Sequence, residues 1–154
     1  MVQQIVGIIK DEKLVESAYK GDKVEVILPE TNFYIEAGGQ VSDKGILYSK
    51  NDDWKIRIDD VRKPSAGLII HIGEVIKGKV TIGELAVIEV DGLRRKDIMR
   101  NHTATHLLQA ALRKVLGDHV RQAGSLVAPD HLRFDFTHSQ ELTRDQLNTV
   151  EEDV

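Results

Sequence analysis

The 154-residue chain has no cysteine, which excludes a disulfide framework and restricts any metal site to histidine, aspartate, glutamate and water. It has no apolar run approaching the roughly 20 residues that span a bilayer. Its start, Met1-Val2-Gln3-Gln4, lacks the basic residues of a secretory signal. A cytoplasmic protein with no membrane association is the expectation. Net positive charge is also missing: the formal charge is −4, which argues against indiscriminate binding to nucleic acid. That average conceals an uneven distribution, because Asp91 to Arg121 holds seven basic residues against three acids, a local +4 that leaves −8 elsewhere. Internal repeats, low-complexity tracts and long linkers are absent. The length suits one ordinary domain or two small ones, and a domain of this size buries roughly 70% of the surface its unfolded chain exposes.

The first ninety residues read as β structure. Ile5–Ile9 and Val24–Leu28 are β-branched runs separated by turn-forming Asp11-Glu12-Lys13 and Gly21-Asp22. Trp54, Ile56 and Ile58 alternate with Lys55, Arg57 and Asp59, as in a half-buried strand. Further short runs follow at Leu68–Gly73, Glu74–Ile76 and Ala86–Val90, and Arg62–Gly67 is the most loop-like stretch. Close spacing and glycine-bearing turns predict a small barrel or sandwich.

After Asp91 the period changes. Ile98, His102, Thr105, His106, Gln109, Leu112, Val115 and Leu116 recur at helical intervals, and Gly117 is placed to end that helix. Asp91 can cap its start, although Arg94-Arg95-Lys96 put positive charge where the helix dipole disfavours it. Gln122–Val127 and Leu132–Phe136 read as a hairpin turning at Ala128-Pro129-Asp130, and Thr143 with Gln146 forms the capping box of a last helix.

Two stretches carry chemistry. In Arg100-Asn101-His102-Thr103-Ala104-Thr105-His106 the two histidines are one helical turn apart, so both imidazoles can reach one metal ion. The Glu that would follow the first His in a zinc protease is Thr103, so that mechanism lacks its base. Two unrelated helix histidines are the alternative reading. The second stretch, Thr31–Gln40, ends in Gly38-Gly39-Gln40, where consecutive glycines allow a loop that presents backbone N–H groups or the Gln40 amide to a ligand, or simply turn between strands.

Phe33–Gly45 with its Gly-Gly-Gln, the Arg100–Leu108 histidine segment, Leu116–Ser125 and Leu132–Phe136, taken in order over almost the whole chain, closely resemble the editing region of bacterial-type alanyl-tRNA synthetase. The resemblance implies an α+β fold: a small N-terminal β-barrel over residues 1–90, then part of an α/β editing core over 91–154, made of a long helix, a β-hairpin and a terminal helix and cut short at its C-terminus. It implies hydrolysis of seryl or glycyl esters on alanine tRNA, with the acceptor end of that tRNA as partner. Pocket contacts discriminate small side chains by only about 1–3 kcal/mol, which is why such an enzyme needs a second, hydrolytic site.

The same resemblance makes His102 and His106 zinc ligands, completed in the family by a Cys and a His of a later C-x-x-x-H segment. It places Thr105 and Gln122 in the pocket as catalytic candidates, with Gly38, Gly39 and Gln40 lining it and Thr31 a weaker substrate contact. Arg94, Arg95, Lys96, Arg100 and Arg133 are candidate phosphate contacts. Asn32 and Ala37 depart from the family's usual Pro and Ser or Gly. Without the C-x-x-x-H half, the chain is expected to bind zinc weakly or not at all and to edit poorly. ATP would be used only by the absent aminoacylation domain. A free-standing trans-editing deacylase, a noncatalytic tRNA-binding module and a structural metalloprotein are the competing readings.

Overall fold

The computed structural model describes residues 1–154, which divide into two compact units: Met1–Glu36 with Ser42–Gly92, and Ala37–Val41 with Leu93–Val154. The first unit contains ten strands: β1 (Val2–Gln4), β2 (Gly7–Lys10), β3 (Lys13–Leu14), β4 (Ser17–Tyr19), β5 (Lys23–Leu28), β6 (Gly45–Tyr48), β7 (Lys55–Ser65), β8 (Leu68–Lys77), β9 (Lys79–Thr81) and β10 (Leu85–Val90). Eight form one sheet in the order β1-β10-β6-β7-β8-β5-β2-β3, and β4 pairs with β9 in a second. The first segment changes partner at Ile5-Val6: β1 pairs with β10 and β2 with β5. Ile5 N donates to Glu84 O and Val6 N to Ile27 O at the change. The result is mostly β, a curled half-barrel with β1 and β3 as the ends of its strand order. The ladders themselves do not draw the closed barrel that the sequence suggested.

Alternation builds the core of this unit. In β5, Val24, Val26 and Leu28 are buried while Lys23 is exposed; in β7, Ile56, Ile58 and Val61 point inward and join Trp54, Leu47, Val75 and Ile88. Two local expectations are corrected. Glu74–Ile76 is no separate strand, because β8 runs unbroken from Leu68 to Lys77. Arg62–Ser65 is not loop but the exposed end of β7, with Pro64 accommodated where the β7–β8 register shifts between Arg62 and Ser65.

The second unit contains α1 (Gly92–Leu116), β11 (Gln122–Val127), β12 (Leu132–Phe136) and α2 (Arg144–Asp153). Gly117, at φ 119°, ends α1 and donates to Arg113 O. The buried positions of α1 are Ile98, Thr105, Ala111 and Leu112. His102 and His106 are exposed and flank that stripe rather than belonging to it. Ala111, Leu112, Val120 and Val150 are the core, with Phe134 and Phe136 of β12 against them, while Arg133 and Asp135 take the other face and pair with each other. Thr143 accepts from Gln146 N and Gln146 Oε1 accepts from Thr143 N, the full capping box of α2. No helix is long and apolar enough to cross a membrane.

Candidate functional site

Within the second unit, three side chains meet in a line. His106 Nε2 lies 3.0 Å from His102 Nε2, and His102 Nδ1 lies 2.8 Å from Gln40 Oε1. The helical offset of four residues brings the two imidazoles together, with ring centroids 4.9 Å apart. Gln40 comes from far away in sequence, and its loop is clipped to β11. Val127 N donates to Gly39 O at 2.8 Å, Val41 N donates to Val127 O at 3.1 Å, and Gln40 N donates back to Ala37 O at 3.0 Å. Gln40 and Val127 form a parallel bridge. The glycines are needed there: Gly38 and Gly39 have φ of 59° and 85°, and a Cβ at Gly39 would run into the carbonyl oxygen of Ser125.

One assignment of protons satisfies both contacts. An amide oxygen only accepts, so with Oε1 of Gln40 facing the ring this contact is a hydrogen bond in the tautomer of His102 that carries its proton on Nδ1. In that tautomer Nε2 of His102 is a lone pair, and the contact between the rings is made by His106 Nε2–H donating into it. Replacing that one proton by a cation would leave two imidazole nitrogens facing a common point. Two nitrogens on one tetrahedral zinc lie roughly 3.3 Å apart, against 3.0 Å here, so the pair fits half of such a site. No group of three or more His, Cys, Asp or Glu side chains converges anywhere in the chain.

The remaining sequence candidates fall into three groups. Thr105 is buried at 7% exposure, and its hydroxyl donates to Asn101 O at 2.8 Å, leaving only its lone pairs to accept a hydrogen bond from a ligand. Gln122 is exposed at the start of β11, beside the β-bulge between Gln122 and Gly124, a feature that re-aims side chains. Arg100 and Arg133 are exposed but already paired, with Asp97 at 2.7 Å and Asp135 at 3.1 Å. Thr31 belongs to the first unit. Its Oγ1 accepts from Phe33 N and lies 2.9 Å from His71 Nε2, and burial pushes the His71 imidazole down from 6.5 to about 4.

Asn101 was not singled out in the sequence, yet its Nδ2 donates to Ala128 O at 2.7 Å and Pro129 O at 3.2 Å, tying the turn before His102 to the β11–β12 turn. Its position immediately before His102 was the available signal. An apolar hollow of about 840 Å³ in this unit, lined by Ala104, Leu108, Leu132, Leu142 and Leu147 among others, includes neither histidine.

The family model for tRNA synthetases of class II (A) matches residues 1–94. The chain belongs to that family. Over nearly its whole length it is similar to alanine–tRNA ligases: 47% identical over 148 residues to that of Chloroflexus aurantiacus, covering 96% of this chain and 16% of the relative. The ligase of Anaeromyxobacter dehalogenans is 49% identical over 151 residues, 98% of this chain and 16% of the relative. That of Thermotoga petrophila is 53% identical over 148 residues, 96% and 17% respectively. This class II synthetase chain therefore spans about one-sixth of the length of the ligases it matches.

Proposed function

We propose that this chain is the part of an alanine–tRNA ligase that begins its editing site, hydrolysing serine or glycine wrongly esterified to the acceptor end of alanine tRNA. The observation that carries the reading is the Gln40–His102–His106 line in a chain about half identical to alanine–tRNA ligases. In the reaction, water oxygen bonds to the ester carbonyl carbon and the bond to the ribose oxygen breaks. The ribose hydroxyl recovers a proton, and the free amino acid leaves as its carboxylate.

His102 and His106 would hold zinc, and the metal, when bound, supplies Lewis-acid polarisation of an oxygen in the site or a fixed point for the aminoacyl end. The Gly38-Gly39 backbone permits close approach of that end. Thr105 Oγ1, its own proton committed to Asn101, can accept a hydrogen bond from the substrate's amino or hydroxyl group. The Gln122 amide can orient the aminoacyl group, and Arg100 and Arg133 can meet acceptor-stem phosphates by exchanging their present carboxylate partners.

The test is release of serine from seryl-tRNA(Ala) with added zinc, by this chain and by a longer form carrying the C-x-x-x-H segment that the family resemblance places downstream. Hydrolysis in the longer form, abolished by His102→Ala or His106→Ala, is the expected result. The convergence of only two ligand side chains supports a second reading, a noncatalytic tRNA-binding module. Salt-sensitive tRNA binding without hydrolysis in either form would establish that one instead.

A further inference from the structure

We infer that Gln40 is a positioning residue for His102, one that fixes the imidazole's tautomer and aim rather than only lining the pocket. This deepens the reading of His102 and His106 as a ligand pair and rests on it for its purpose, though its geometry stands apart. An imidazole can carry its proton on either nitrogen, and the partner of one nitrogen decides what the other can do. Gln40 Oε1, 2.8 Å from Nδ1, holds the proton there and leaves Nε2 unprotonated toward His106, 3.0 Å away.

The acceptor is itself fixed. The Gly38-Gly39 turn and the bonds Val127 N to Gly39 O and Val41 N to Val127 O lock Gln40 against β11. Asn101 holds the α1 turn before His102 to the β11–β12 turn at 2.7 Å. The same hairpin therefore anchors both the residue that orients and the start of the turn that is oriented. An amide does this without adding the negative charge that a carboxylate would bring to the site.

The experiment reads the His102 tautomer directly, by long-range ¹H–¹⁵N correlation in the ¹⁵N-labelled chain, and zinc affinity by competition with a chromophoric chelator. The wild type is expected to show the Nδ1–H form of His102. Gln40→Ala should shift it toward Nε2–H and weaken zinc binding about 10–100-fold, the usual cost of losing an outer-shell partner. Gln40→Glu should restore both, because a carboxylate accepts the same proton. Gln40→Met, near in volume but without the acceptor, should repeat the alanine result, which separates loss of the acceptor from loosening of the loop.

Unchanged tautomer and zinc affinity in folded Gln40→Ala and Gln40→Met chains would overturn the inference. A tautomer that follows Gln40 in a chain that binds no zinc would uphold the positioning role, and absence of zinc from the longer form carrying the C-x-x-x-H segment would remove the metal reading alone.

Discussion

Asn101 Nδ2 donates to the carbonyl oxygen of Ala128 at 2.7 Å across 27 positions of sequence. Ala128 is buried at 7% exposure, so its carbonyl has little water to fall back on. Asn101→Ala should cost about 1–3 kcal/mol, the range for stranding a buried acceptor, measured by urea denaturation. Asn101→Asp should cost more, because it turns a carboxylate toward two carbonyl oxygens. Equal stability of all three chains would show that this bond contributes nothing.

The adjacent glycines of the Gly-Gly-Gln loop should respond unequally. Gly38 has φ 59° with open space around an added Cβ, so Gly38→Ala should cost about 1 kcal/mol from the left-handed backbone alone. Gly39 has φ 85° and abuts Ser125. Gly39→Ala should therefore cost more and also release Gln40 from His102, visible as a changed His102 ring signal. A larger penalty at Gly38 would contradict the packing against β11.

Acid should destabilise the first unit through His71. The ring is fully buried, touching Val26 O and Thr31 Oγ1 and meeting the Phe33 ring edge-on, and its pKa falls from 6.5 to about 4. Between these values the unfolded chain binds the proton and the folded one does not, so stability rises with pH. The contribution is complete above about 6.5, is lost as pH falls toward 4, and levels off below; its full size is about 3 kcal/mol. His71→Gln should flatten that part of the curve of unfolding free energy against pH. A mutant curve with the same slope would assign the acid sensitivity to other groups.

If Arg100 and Arg133 meet phosphates, Arg100→Gln and Arg133→Gln should each weaken tRNA binding and lower the magnitude of the log affinity against log salt slope by about 1. Slopes equal to that of the wild type would leave both side chains to their present partners, Asp97 and Asp135.

Much of the local structure was legible because its cause is local. The Thr143–Gln146 capping box, the stop at Gly117 and the alternation of Leu132, Phe134 and Phe136 each follow from a few neighbouring residues, and each is present. The end of β7 was not legible, because Pro64 and its polar neighbours are held in a strand by pairing with β8 across a register shift. His102 and His106 recur at the helical interval of Ile98, Thr105 and Leu112 yet are exposed, since periodicity gives an angle but not which edge of the stripe meets a neighbour. The bond from Gln40 to His102 spans 62 positions and depends on which strand the Gly-Gly turn lies against, information that no short window contains.

The clip between Gly39 and Val127 also bears on where the molecule can be divided. Residues 93–154 released on their own would leave the Val127 amide and carbonyl without the partners that Gly39 and Val41 provide, a bare strand edge open to pairing with another chain. A cut at residue 92, natural by sequence, should yield a C-terminal piece that self-associates, and a synthetic peptide covering residues 37–41 should compete with that association. Five residues embedded in the first unit's sequence thus complete the backbone pairing of the second.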